Sequence, residues 1–458
     1  MTEKLDRAAL AALLARKDDG TIRAALAAYH PYDLARLLPA LPPERQQAAL
    51  DLLAPERAGQ VFGYLDPADQ LALARRLPRE ALGRLLSAMA PDERADLFKA
   101  LPEPVQQALL PGLAAAERED IRRLAAYPEG TVGAVMTSAY ASLSPELTAE
   151  EAIAALRREA PDRETIYDAY VIGADRALSG VVSLRDLLLA PPGARVAELM
   201  RREVVKVSAD APRAEAARLI REYDLIALPV VNGGGKLVGI VTADDAMDIA
   251  EREEARRLQT FGGTVALGGP DLDILHSPQR RVFGARFFWL AILTVLGLFT
   301  SHLVAAQSEM LEKVVILAAF IAPIIDMGGN TGSQTATMVI RGMALGQIGV
   351  SWRDLWRVLR RDLPVAAALG LGIALLEAVL AFATKSIGWE VVAVVGLSML
   401  ACTVAGSLFG LMLPFAARAL RQDPATLSSP VITSIMDLLG VLIYFGFAWI
   451  FLGHLFLD

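Results

Sequence analysis

The sequence predicts a multidomain chain: an all-α superhelical N-terminal domain, a tandem α/β pair, and a polytopic α-helical membrane domain with five transmembrane helices. Three observations predict it. Prolines recur every 11 to 13 residues from Pro43 to Pro102, one helix–strand pattern occurs twice between 129 and 251, and five long apolar runs fill residues 283–458. Charge follows the same division. The 458 residues carry a formal charge of −7, yet residues 283–458 hold 10 Lys+Arg and 10 Asp+Glu, so the acidic surplus lies wholly in residues 1–282.

With 54% hydrophobic and 21% charged residues and a mean hydropathy of +0.39, the averages resemble those of a soluble protein. Their uneven distribution excludes a wholly soluble enzyme, a fibre or a disordered chain. A single cysteine, Cys402, excludes internal disulfides. His30, His276, His302 and His454 have no metal-ligand spacing. No P-loop, nucleophile elbow or histidine pair points to an enzyme, and no basic patch points to nucleic acid. The opening MTEKLDRAALAALLARKDDG is too charged for a signal peptide.

Residues 1–128 read as short amphipathic helices opened by Pro43, Pro55, Pro67, Pro78, Pro91 and Pro102. Helix pairs recurring about every 24 residues make a small α-solenoid, normally a binding or regulatory surface. Asp92 and Asp96 stand at i,i+4 on one helix face, either solvated or in a cation site.

Residues 129–251 divide into copies 129–193 and 194–251. Met136 is echoed at Met200 and Gly180 at Gly239. Each copy reads helix, short strands, helix, and resembles a cystathionine-β-synthase (CBS) domain. That family's ribose-binding S/T-x-x-D pattern falls on Ser183 with Asp186 and on Thr242 with Asp245, which implies an adenine nucleotide such as ATP at the pair. The same spacing is also a plain helix-capping box.

Residues 252–282 connect to the membrane. The helix around them is acidic, with Asp244, Asp248 and Glu251 at i, i+4 and i+7, flanked by Asp245, Glu253 and Glu254. It is either an exposed charged helix partly offset by arginines or one whose like charges are bridged by divalent cations.

Residues 283–458 hold the spans. Runs 287–308 and 391–417 are uncharged, while 314–340 contains Asp326, 363–384 contains Glu377 and 424–457 contains Asp437. Each is long enough for about 30 Å of hydrocarbon. Arg280, Arg281, Arg286, Arg341, Arg353, Arg357, Arg360, Arg361, Arg418 and Arg421 flank one side, against Lys313 and Lys385 on the other. The positive-inside rule then makes the N-terminus cytoplasmic and the C-terminus external. Buried charge is costly in a membrane and marks ion paths. Asp437 lies about 10 Å in from the cytoplasmic end and Asn330, in the run GGNTGSQT, about 16 Å. Small residues also serve helix packing, so that run alone leaves both readings open. The spans contain no arginine or lysine for an anion, so the path reads as cationic.

Solenoid, tandem CBS repeats, charged helix and five spans, in that order, closely resemble the MgtE family of magnesium channels and transporters. PIIDMGGNTGSQTATMVIRG looks like the family's second-span signature, and LMLPFAARALRQDPATLSSPVITSIMDLLG its fourth-to-fifth-span segment. The resemblance implies a homodimer in the lipid of a bacterial plasma membrane. It also implies a pore between subunits that conducts hydrated Mg²⁺ past paired Asp437 carboxylates, with Asp326, Asn330, Gln334 and Ser429 lining it. Some members carry Asn or Gly where this chain has Ser429. Regulatory Mg²⁺ would bridge Asp92, Asp96, Asp210, Glu215, Asp224, Asp244, Asp245, Asp248, Glu251 and Glu254 and favour a closed state. Asp326 and Glu377 also motivate an alternative, a Na⁺- or H⁺-coupled divalent-cation exchanger.

Overall fold

The computed structural model describes residues 18–191, 193–264, 272, 277–385, 388–420, 422–426 and 429–456. His276 and Arg421 lie outside them. The chain forms two compact units that divide between Glu253 and Glu254.

The first unit opens with helices α1 (Asp19–Ala27), α2 (Pro31–Leu37), α3 (Pro43–Asp51), α4 (Pro55–Gly63), α5 (Pro67–Ala74), α6 (Arg79–Ala88), α7 (Pro91–Ala100), α8 (Glu103–Leu109) and α9 (Ala115–Ala125). Pro43, Pro55, Pro67 and Pro91 take the first helical position. There the missing N–H costs nothing and the fixed φ suits the helix. Pro78 and Pro102 sit one residue earlier, as N-caps. From α4 on, helices pack on the one two places ahead, α4 on α6, α5 on α7, α6 on α8 and α7 on α9, and α2 packs on α4 in the same way. Gly59 of α4 lets its backbone meet the Ala88 carbonyl, where a side chain would collide. Phe62, Leu82, Leu86 and Ile121 fill the core.

The α/β pair comprises β1 (Tyr140–Leu143), α10 (Ala149–Glu159), β2 (Thr165–Ile172), β3 (Leu178–Ser183), α11 (Leu184–Leu189), α12 (Val196–Leu199), β4 (Val207–Ser208), α13 (Arg213–Tyr223), β5 (Ala227–Val231), β6 (Leu237–Thr242) and α14 (Ala243–Phe261). The strands make two sheets, ordered β1-β2-β3 and β4-β5-β6, each with one parallel and one antiparallel pairing. The copies interlock crosswise. A Cβ on Gly180 would lie 2.8 Å from the sulfur of Met200, and one on Gly239 would lie 2.7 Å from that of Met136. Thr137 likewise bridges Ile240, and Val181 bridges Arg201. The opening segment of each copy thus completes the other copy's sheet. Helix α14 runs unbroken through residue 252, so the expected start of the connecting region lies inside a helix.

The second unit holds α15 (Gln279–Ala305), the short α16 (Ser308–Lys313), α17 (Ala318–Ala344), α18 (Trp352–Lys385), α19 (Trp389–Ala419) and α20 (Ser429–Leu452). Five of these helices are long and apolar enough to cross a membrane. Helix α18 begins eleven residues before the expected span, because Leu355, Val358 and Leu359 pack this basic stretch onto Val339, Leu411 and Phe415. The tightest pairing is α17 with α19. Gly328 and Gly332 face Gly406 and Gly410, and a Cβ on either of the latter would strike the facing glycine carbonyl. Small residues at four-residue spacing let two backbones touch where lipid supplies no hydrophobic drive. Helix α15 is peripheral, with only Trp289 buried.

Candidate functional site

Helix α17 carries the GGNTGSQT run in its middle, and the bundle sorts that run by face. Gly328, Gly329, Thr331, Gly332 and Thr335 are buried. Asp326, Asn330 and Gln334 are all exposed, and their four-residue spacing puts them in one stripe. The sorting follows from contact. Gly329 lies against Thr433 of α20, with a Cβ there 3.4 Å from the Thr433 Cα, while Gly332 faces Ile432 and Gly406. A single chain therefore leaves a polar stripe uncovered at membrane depth.

Asp437 is half-buried on α20. Helix α20 packs on α17 just before it, with Met436 against Gly328 and Thr433 against Gly329. Ser429 is half-buried at the start of α20, and its hydroxyl lies 2.8 Å from that of Ser333. It ties α20 to α17 within one chain. Glu377 is half-buried on α18.

In the first unit, the N-terminus of α7 meets the start of α14. Asp92, Glu93, Glu164 and Asp245 gather there. The Glu93 carboxylate lies against the backbone of Gly63. One oxygen of Asp92 is fully buried with no hydrogen-bond partner. Such an orphan is costly and normally answered by a donor or a cation. Burial, reinforced by the neighbouring acids, raises Asp92 from 3.8 to about 6, Glu93 from 4.5 to about 8 and Asp245 from 3.8 to about 7. Burial also raises Glu164, with Asp245 and Asp244 adding to it.

The other predicted acids are placed differently. Asp96 is exposed, with Lys99 at 3.9 Å. Asp210, Glu215, Asp244, Asp248, Glu251 and Glu254 are exposed. Glu215 pairs with Arg218 at 3.8 Å and Asp248 with Arg252 at 3.9 Å. Asp224 closes α13 in the left-handed conformation, φ 51°, which an aspartate tolerates better than most residues. No three His, Cys, Asp or Glu residues form a ready metal cage among the described residues. Glu93 and Glu164 were not singled out in the sequence. Neither has a motif, and only the fold brings 93, 164 and 245 together.

The two S/T-x-x-D patterns diverge. Ser183 accepts from the Asp186 amide at 3.1 Å and caps α11, leaving the Asp186 carboxylate exposed. Thr242 donates to the Asp245 carboxylate at 2.7 Å, so that acid serves the cluster. Both show the local capping contact. Near the first lie Asp168, raised by burial, and Arg201, which partly offsets it.

Comparison with known proteins follows this division. A model described as the MgtE intracellular N domain matches residues 29–130, CBS-domain models match 132–193 and 196–252, and one described as a divalent cation transporter, MgtE, matches 321–447. The chain is 38% identical over 332 residues to a magnesium transporter MgtE of Thermus thermophilus, covering 72% of this chain and 71% of that one. It is 32% identical over 339 residues to the Bacillus subtilis magnesium transporter MgtE, covering 73% and 72%. Among solved structures, the cytosolic domain of the Mg²⁺ channel MgtE in complex with ATP is similar at a TM-score of 0.51 and 38% identity, covering 53% of this chain and 100% of that one. The soluble part of a magnesium transporter matches at 0.51 and 28%, covering 54% and 97%.

Proposed function

The chain belongs to the MgtE family of divalent cation transporters, and on that premise we propose that it is a Mg²⁺ channel, closed by Mg²⁺ bound to its cytoplasmic half. It works as a homodimer in a bacterial plasma membrane, with the N-terminus cytoplasmic and the C-terminus outside. The arginines flanking one side of the spans support that orientation. The observation that carries the reading is the exposed stripe of Asp326, Asn330 and Gln334 on α17, the helix against which the Asp437-bearing α20 packs. Polar groups at this depth face water or protein, not lipid. A second copy across a two-fold axis turns the stripe into an oxygen-lined path with paired carboxylates. Small, hard Mg²⁺ parts with water reluctantly, so such a path attracts the hydrated ion without stripping it.

The sensor is centred on Asp92, Glu93, Glu164 and Asp245. Mg²⁺ there answers the orphaned Asp92 oxygen and lets its neighbours ionise, holding α7 against α14. The exposed acids Asp96, Asp210, Glu215, Asp224, Asp244, Asp248, Glu251 and Glu254 are further, weaker contributors. The ion biases gating only by its differential affinity for the two states. ATP binds the CBS pair at the open Ser183–Asp186 side, beside Asp168 and Arg201. The Thr242–Asp245 side is taken by the acid cluster.

Mg²⁺ uptake by proteoliposomes with no Na⁺ or pH gradient tests the reading. The wild type takes up Mg²⁺, Asp437→Ala does not, and millimolar Mg²⁺ on the cytoplasmic side slows uptake. Undiminished uptake by Asp437→Ala sinks the pore assignment, and dependence on a Na⁺ or pH gradient replaces the channel with a coupled exchanger.

A further inference from the structure

Helix α18 is 34 residues long, about 51 Å at 1.5 Å per residue, against about 30 Å of hydrocarbon. Its uncharged run starts at Leu363, so the turns before it, about 16 Å long, run out through the headgroup layer toward the water. Arg353, Trp356, Arg357 and Arg360 follow at i, i+3, i+4 and i+7 and share one face. The opposite face is pinned into the bundle by Leu355, Val358 and Leu359. That contact fixes the helix rotation and turns the arginine face outward.

The exposed face is chemically particular. Trp352 is 78% exposed and Trp356 49%. The Arg360 guanidinium stands 5.3 Å from the centre of the Trp356 ring. Asp354 is occupied by Arg357 at 3.0 Å and by the Ser351 hydroxyl at 2.6 Å, and Asp362 accepts from Ser407. No acid pairs with Arg353 or Arg360 among the described residues. An anion is wanted, next to two indoles that favour the membrane–water interface.

We propose that this face binds the headgroup of an anionic phospholipid, its phosphate held between Arg353 and Arg360, with Trp356 alongside it and Trp352 at the outer edge of the site. Charge complementarity selects an anion, and the depth just before Leu363 selects one carried by the bilayer. The exposed tryptophans have no use for a soluble phosphate. The assignment does not depend on the ion carried.

The full-length protein, purified and exchanged into mixed micelles of phosphatidylcholine and phosphatidylglycerol in equal parts, tests it by native mass spectrometry of the retained lipid. Wild type is expected to retain phosphatidylglycerol in preference. Each arginine removed should cost about fivefold, so Arg353→Gln with Arg360→Gln lowers the preference by roughly 25-fold. The charge-keeping pair Arg353→Lys with Arg360→Lys retains most of it, which separates lost binding from misfolding. An unchanged preference in the glutamine pair overturns the proposal. So does displacement of the lipid by millimolar inorganic phosphate, which marks a free-anion site, or loss of the face to a second copy in the retained complexes.

Discussion

The hydroxyl of Ser407 donates to the carboxylate of Asp362, and the Thr335 hydroxyl lies 3.0 Å from the Ser407 hydroxyl oxygen. One serine on α19 thus joins α18 to α17, five residues from Asn330. Thr335 and Ser407 are both buried. Ser407→Ala removes the middle of this chain and leaves two polar groups unpaired, at a cost of about 1–3 kcal/mol. The unfolding midpoint of the detergent-solubilised protein should fall by several degrees, while Ser407→Thr holds near wild type. An unchanged midpoint for the alanine variant would show that the chain contributes nothing.

The glycine contacts make a sharper contrast. Gly410→Ala drives a methyl group into the Gly332 carbonyl, and Gly406→Ala does the same to Gly328. Overpacking of this kind costs about 1–3 kcal/mol. Gly396 and Gly446, also helical, have open space where a Cβ would go. Alanine there gains up to about 1 kcal/mol of helix propensity. Thermal scans should therefore move in opposite directions for Gly410→Ala and Gly446→Ala. Equal shifts would refute backbone contact between α17 and α19.

These contacts mark the limit of what the sequence reveals. Prolines announced the N-terminal helices because proline chemistry is local, and the spans showed because hydrocarbon demands an unbroken apolar run. The repeat was legible in Met136 and Met200, Gly180 and Gly239. The crosswise pairing was not, since two copies of one pattern can pair straight or crossed. Asp92 and Asp245 stood out by spacing, yet Glu93 and Glu164 joined them only through tertiary packing across some 70 to 150 residues. Asp326, Asn330 and Gln334 were visible as polar groups in a span, but their exposure depends on which face the glycines bury.

The acid cluster makes the stability of the first unit depend on pH in a stated direction. Burial first, then Asp92, Glu164 and Asp245, carry Glu93 from 4.5 to about 8. Asp245 rises to about 7 and Asp92 to about 6. Each group binds its proton more tightly folded than unfolded, so protons stabilise the fold. That stabilisation is complete below the unfolded values, near 4, and is lost as pH climbs through the folded values between about 6 and 8. With divalent ions chelated, the unfolding free energy from urea titrations should fall between about pH 5 and pH 8.5, by an amount on the order of 1–3 kcal/mol after solvent screening, and the urea midpoint with it. Glu93→Gln removes the largest contribution, so it should flatten the slope and raise stability at the alkaline end. Millimolar Mg²⁺ at about pH 8 should restore most of the wild-type loss and less of the variant's, because a cation replaces the protons that hold α7 to α14. If the wild type and Glu93→Gln follow parallel pH curves, the cluster is not what couples the solenoid to the CBS pair.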